Sequence, residues 1–273
     1  MKDYNQYRLD VKKSPEDKRD FKASTIYRKI ALPETLDYRS SMQPIRDQGN
    51  QSSCVAMSGS AMKEWQEQKD VGLNEYMSPQ FIYNFREDTS EEGMYMRDLM
   101  KILNKKGDCT EKLYPYGTFT PPSSQAIGEA QNYIIDGYAS VATPEELKTA
   151  LFVNGPCVLA VPVYNYTTRM WYKRINDYFL GGHAMLVAGY NKEGFIIRNS
   201  WGTDWGDKGY CIMPYGDFSL AWEYWTTIDA NSFYPPDPEP EPEPKKKWID
   251  KYWWVLVLAV LGIGLIIGLI PYF

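Results

Sequence analysis

The sequence is short of imidazole: its 273 residues include one histidine, His183. Chemistry that needs a base of that kind near neutral pH must run through this single position. Four cysteines, Cys54, Cys109, Cys157 and Cys211, lie about fifty residues apart, so no C-x-x-C pair occurs. That spacing excludes a zinc ribbon or a dithiol redox motif, and no metal site or cofactor is expected. Cys109, Cys157 and Cys211 sit in or beside apolar runs and read as core thiols. The formal net charge of −5 offers no basic excess, which argues against nucleic acid as a partner.

The N-terminus, MKDYNQYRLDVKKSPEDKRD, has no apolar run of secretory length, so the chain is expected to start in the cytosol. The C-terminus is of opposite character. Residues 252–273 carry no charge, and WWVLVLAVLGIGLIIGLI supplies 18 apolar residues with paired tryptophans at one edge, the pattern of a transmembrane helix. Before it, Pro235 to Pro244 alternate proline with acidic residues and are expected to form a stiff polyproline II rod of roughly 30 Å. Lys245, Lys246, Lys247 and Lys251 precede the span and no basic residue follows it, which predicts a single-pass tail anchor with the large domain on the cytoplasmic side. Gly264 and Gly268 form a G-x-x-x-G that offers weak self-association. The expected organisation is an N-terminal arm (1–31), a globular domain (32–230), a Pro/Glu-rich linker with a basic end (231–251) and the anchor (252–273).

Between residues 30 and 230 the periodicity changes partway. Helices are predicted over Cys54 to Lys69, buried at its start with charges gathering toward its end, over Met96 to Lys105, and over Pro144 to Asn154. The last has Thr143 as N-cap, Pro144 at its first position and Glu146 closing a capping box. PCVLAVPVY, HAMLVAGY, GFIIRNS and GYCIMPY then follow as short β-branched or aromatic runs broken by glycine, as in an antiparallel sheet. Helices first and sheet second predict an α+β fold of two lobes. Asp204 and Asp207, flanking Trp205, read as turn formers, and Tyr114 and Tyr116 as packing residues at the lobe edge.

Four pieces occur in one order: Gln48 and Cys54 in DQGNQSSC, His183 in GGHAMLVAGY, and Asn199 with Trp201 in RNSWGTDWGDKGY. A nucleophilic thiol needs a base, an acceptor that orients the base, and donors for an oxyanion, and Cys54, His183, Asn199 and Gln48 fill those roles. With LPETLDYRS, SPQFIY and GMYMRDLMKILNKKGDCTEKLYPY, these motifs make about 200 residues resemble the papain-like cysteine peptidases. The nearest likeness is to the short bacterial and viral branch, which carries an RD segment upstream, here SPEDKRDF, instead of a long propeptide.

The resemblance implies a papain-like two-lobed fold and peptide-bond hydrolysis through a Cys54 acyl-enzyme with His183 as base and acid. It places Cys54 at the N-terminus of the central helix, where the helix dipole and a neighbouring imidazolium favour thiolate. Asn199 would orient His183, Trp201 would shield that contact, and the Gln48 amide with the Cys54 N–H would form the oxyanion hole. Gly181 and Gly182 would let the lobes approach, and the strand Glu92, Gly93, Met94 would pair with an extended peptide.

Three departures stand out: Gln51 where many secreted relatives have a disulfide cysteine, Val55 and Met57 where Trp and Phe often follow the nucleophile, and Glu92 in place of the first of two glycines. The missing cysteine agrees with a reducing compartment. Glu92 suggests a preference for basic substrate side chains. The alternatives to hydrolysis are acyl transfer from the same intermediate to an amine, and a silent peptide-binding module. Residues 1–31 are expected either to leave the enzyme constitutively active on its tether or to occlude the cleft in part.

Overall fold

The structure, a computed structural model, describes residues 3–228. The linker, the apolar segment 252–273 and the Gly264/Gly268 pair lie outside the described residues. No described helix is long and apolar enough to cross a membrane.

The helices are α1 (Ala23–Ile26), α2 (Cys54–Val71), α3 (Pro79–Asn84), α4 (Met96–Lys105), α5 (Ser124–Ala130) and α6 (Pro144–Asn154). The strands are β1 (Leu36–Asp37), β2 (Gly137–Val141), β3 (Cys157–Val163), β4 (Gly181–Tyr190), β5 (Gly194–Arg198), β6 (Tyr210–Pro214) and β7 (Glu223–Ile228). They form one antiparallel sheet in the order β2-β7-β3-β4-β5-β6, with β1 added against β4. The α+β expectation holds, with α2 to α5 building one lobe and the sheet with α6 the other.

Local chemistry explains the element ends. Helix α2 stops at Gly72, which takes a left-handed φ of 73° and returns its N–H to Gln68 and Glu67 carbonyls, a conformation that costs glycine nothing. At α6 the Thr143 hydroxyl accepts the Glu146 N–H at 3.1 Å, whereas the Glu146 carboxylate reaches the Ala142 N–H at 2.9 Å, one residue short of the expected capping-box partner.

Helix α2 packs on β4 and is buried nearly throughout, which corrects the expectation of a helix buried only at its start. Lys63 and Glu67 form a buried ion pair one turn apart, 2.5 Å between Nζ and Oε1. Glu64 is held by Arg46 at 2.6 Å. Charges on the wall between lobes survive burial only because each is paired. One apolar cluster, including Val55, Ala56, Met62, Val158, Ala184 and Leu186, joins α2 to β3 and β4. That shared core fixes the first residue of α2 against β4.

Candidate active site

Cys54 opens α2. Its N-cap, Ser53, makes no side-chain cap, so the first amides of the helix remain directed at the thiol end. Burial pushes the thiol up to about 12, against the backbone N–H groups of Ala184, Val55 and Cys54 itself, which act the other way. Contact with the Ala184 amide sets the sulfur against β4, at the residue that follows His183 in the chain.

His183 lies on β4 opposite Val161 of β3 and is fully buried. Its Nε2 is 2.7 Å from Asn199 Oδ1. The Ser200 backbone N–H also donates to that oxygen, at 2.8 Å, so the Asn199 amide presents its carbonyl and the imidazole must carry its proton on Nε2. In the neutral ring Nδ1 then holds a lone pair, and this buried nitrogen has no hydrogen-bond partner among the described residues. Burial drives His183 down to about 4, with Asn199 opposing. The Trp201 ring covers the imidazole, with centroids 4.6 Å apart.

Gln48 is brought to the same place by a short ladder between residues 46–48 and 200–202: Gln48 N–H to Ser200 O at 2.9 Å, Gly202 N–H to Arg46 O at 3.1 Å, and a bridge between Asp47 and Trp201. The Gln48 side chain accepts from Ser200 Oγ at 2.8 Å and donates to Gln51 O at 3.1 Å, leaving one amide hydrogen. Two residues of this site were not legible beforehand. Ser200 ties the Gln48 amide to the Asn199 carbonyl, and its position between Asn199 and Trp201 was the available signal. Tyr116, read from sequence as lobe-edge packing, donates to Gln48 O at 2.8 Å and meets Ser53 Oγ at 2.6 Å.

The cleft between lobes is filled by the chain's own N-terminus. Gly182 donates to Leu9 O at 2.8 Å and Val11 donates to Gly182 O at 3.2 Å. Lys12 forms a parallel bridge with Tyr95 on the other wall. A Cβ at Gly93 would overlap the Asp10 carbonyl, one at Gly182 the Val11 carbonyl, and one at Gly181 the Leu9 carbonyl. These glycines thus admit the backbone of the arm, where a direct approach of the lobes was expected. Met94 is buried in the same cluster as Val11, and Glu92 stands at the rim with its carboxylate 3.3 Å from Ser52 Oγ. Further along, Asp20 of the RD segment pairs with Arg97 at 3.0 Å, Phe21 O accepts from Ser140, and Ala23 and Tyr27 pack into the sheet-side core.

Cys109, Cys157 and Cys211 are free and buried, as expected of core thiols. No group of three or more His, Cys, Asp or Glu side chains suited to a metal occurs among the described residues.

A sequence model of papain family cysteine proteases matches residues 32–226. Cysteine proteinase 3 of Entamoeba histolytica is 30% identical over 200 residues, covering 67% of this chain and 63% of its own. Cathepsin K of Mus musculus is 29% identical over 197 residues, covering 67% and 60%. Xylellain, a cysteine protease from Xylella fastidiosa, superposes with a TM-score of 0.72 at 31% identity over 84% of this chain and 98% of its own. The stem bromelain precursor, at TM-score 0.61 and 19% identity over 83% and 79%, shows the fold alone. The chain spans 52% to 64% of the length of the curated relatives it matches.

Proposed function

The chain belongs to the papain family of cysteine proteases, and from that premise we propose a membrane-anchored thiol endopeptidase held shut by its own N-terminal arm. The observation that carries the reading is the His183–Asn199 pair at 2.7 Å, whose tautomer leaves Nδ1 able to accept a proton, and we take the Cys54 thiol at the head of α2 as its donor.

In the reaction, His183 Nδ1 takes the Cys54 proton and the sulfur attacks the carbonyl carbon of the scissile bond. The oxyanion receives the free Gln48 amide hydrogen and the Cys54 N–H. The proton on Nδ1 passes to the departing amine as the C–N bond breaks, leaving a thioester. Water, losing a proton to His183, then releases the acid and restores the thiol. Asn199 and Trp201 position the imidazole and keep water from its far nitrogen.

With residues 7–12 in the cleft, burial holds Cys54 and His183 uncharged, and no peptide reaches the sulfur. The arm therefore acts as a built-in inhibitor, of the two roles the sequence suggested for it. The apolar run at 253–270, with its lysines on the N-terminal side, supports anchoring from the cytoplasmic face, and such a tether would restrict substrates to those near the bilayer.

The test is intact-mass labelling with an irreversible cysteine-peptidase probe at pH 6 to 7. Labelling at Cys54, absent in Cys54→Ala, slowed in His183→Ala and faster once the arm is weakened, is expected. Equal slow labelling of all four cysteines, independent of His183, would refute the assembled pair and leave the binding-module reading.

A further inference from the structure

Residues 7–12 of the arm run extended, so successive side chains face opposite ways. Tyr7, Leu9 and Val11 turn into the apolar clusters of the fold. Arg8, Asp10 and Lys12 turn toward the helical wall, the segment REDTSEEG at 86–93, which carries four carboxylates and one guanidinium. Lys12 pairs with Glu91, and Arg8 Nε lies 3.8 Å from Glu92 Oε2. Both basic side chains of residues 7–12 thus meet the two carboxylates that stand directly before Gly93.

The one cation of that wall does not compete for them. Arg86 donates to the carbonyls of Tyr83 at 2.9 Å and Glu91 at 3.3 Å, and lies over the Tyr83 ring at 4.1 Å. Glu92 is close to the nucleophile, since the Ser52 hydroxyl 3.3 Å away is two residues from Cys54. Beside it opens a cavity of about 670 Å³, lined among others by Gln51, Ser52, Tyr83, Arg86, Glu92 and Phe119, with room for a long side chain, while Glu91 faces the neighbouring groove occupied by Asp10 and Lys12. The one acidic residue of 7–12 fits this wall worst. Asp10 takes the Ser52 hydroxyl at 2.6 Å and so brings a third carboxylate up to Glu92.

We infer that Glu91 and Glu92 form an acidic specificity wall, which selects peptides with an arginine or lysine close to the scissile bond, and which Arg8 and Lys12 cover while the arm is in place. The inference rests on the thiol-peptidase reading and names its substrate class. Both carboxylates are partly solvated, so each pair contributes the modest amount usual for exposed ions, and the selectivity is graded and salt-dependent.

The experiment uses the full chain and three tripeptidyl acyloxymethyl ketones that differ only in bearing Arg, Leu or Glu beside the reactive group. The arm competes with all three, so the ratio of Cys54 labelling rates reports the wall. The expected order is Arg over Leu over Glu, with Arg ahead of Leu by roughly three- to tenfold at low salt. The Glu91→Gln/Glu92→Gln double variant, isosteric at two exposed positions, should label faster with every probe as the arm loosens, while the Arg-to-Leu ratio falls to about one. A ratio near one in the unaltered chain, or one unchanged in the double variant, would overturn the acidic wall with the peptidase intact. Absence of Cys54 labelling by all three probes would overturn the peptidase reading and the wall together.

Discussion

The Tyr7 ring stacks on the Trp201 indole, with centroids 4.9 Å apart and planes 15° from parallel. Trp201 in turn covers His183, so one residue of the arm presses on the ring that shields the base. The Tyr7 hydroxyl fastens the contact through Asp47 Oδ1 at 2.9 Å and the Trp201 carbonyl at 3.2 Å. The arm is therefore locked at the site's own aromatic lid, beyond its backbone pairing with Gly182.

Tyr7→Ala removes a buried ring and its stacking on Trp201, a loss of about 2–3 kcal/mol from the covered state. Cys54 labelling of the full chain should rise roughly 30-fold or more. Tyr7→Phe, which gives up only the hydroxyl, should raise it about fivefold. Rates equal to the unaltered chain in both variants would show that the arm does not control access.

His183 is the sole imidazole, so its titration is directly readable by proton NMR. Burial lowers it from 6.5 to about 4, whereas a ring exposed to water protonates near 6.5. Between those values the uncovered form binds a proton that the covered form lacks, so falling pH weakens the covered state. The effect grows as pH falls from 6.5 toward 4, in proportion to the share of the ring's burial that the arm supplies. Cys54, held at about 12, stays neutral throughout that window in the covered form. Amide exchange at Val11 and Gly182 should quicken on acidification, and the ring should titrate at least about one unit higher in Tyr7→Ala. An identical titration in the two proteins would mean that the arm does not dry the ring.

The candidate site was legible because its chemistry is carried by local motifs: Cys54 opens a helix after Gln48, and Asn199 and Trp201 flank Ser200 in one loop. Strands β3 to β6 were visible as apolar runs between glycines. Strands β2 and β7 were not, since GYASV is built of small residues and its partner, EYWTTI, lies some ninety positions away in the register Gly137↔Ile228. Occlusion by the arm was one of two expectations, but the residues that pair with the cleft were hidden for the same reason. YRLDVK alternates weakly, and nothing local says that Leu9 and Val11 pair with Gly182. Lys63, Glu64 and Glu67 look like a solvated face until the fold supplies Arg46 and the opposite lobe.

Arg46 holds Glu64 at 2.6 Å and Glu111 at 2.7 Å and also donates to Met77 O. Burial still raises Glu64 to about 7, against the pull of Arg46 and Arg198. Because the folded pKa exceeds the unfolded one, the stability this group contributes is present at low pH and is lost as pH rises through 7. Arg46→Ala strands the carboxylate and should cost about 3–5 kcal/mol at pH 8. The cost should be smaller at pH 5, where Glu64 holds a proton. Urea denaturation at the two pH values checks this, and equal losses at both would refute the buried-charge account.

Gly93 distinguishes the arm from a substrate. Its φ lies outside the left-handed region, so alanine suits the backbone there, yet a Cβ would overlap the Asp10 carbonyl carbon and oxygen. That neighbour is main chain and cannot swing aside, so Gly93→Ala should expel the arm while leaving the fold intact. A small thiol reagent such as iodoacetamide needs no pairing at Gly93 and should alkylate Cys54 faster in the variant. An extended peptide must lie where the arm lay, so its kcat/KM should fall, chiefly through KM. The opposite movement of the two rates is the signature, because a damaged site would slow both. If peptide cleavage accelerated along with alkylation, substrate would have to bind away from Gly93 and the shared cleft would be refuted.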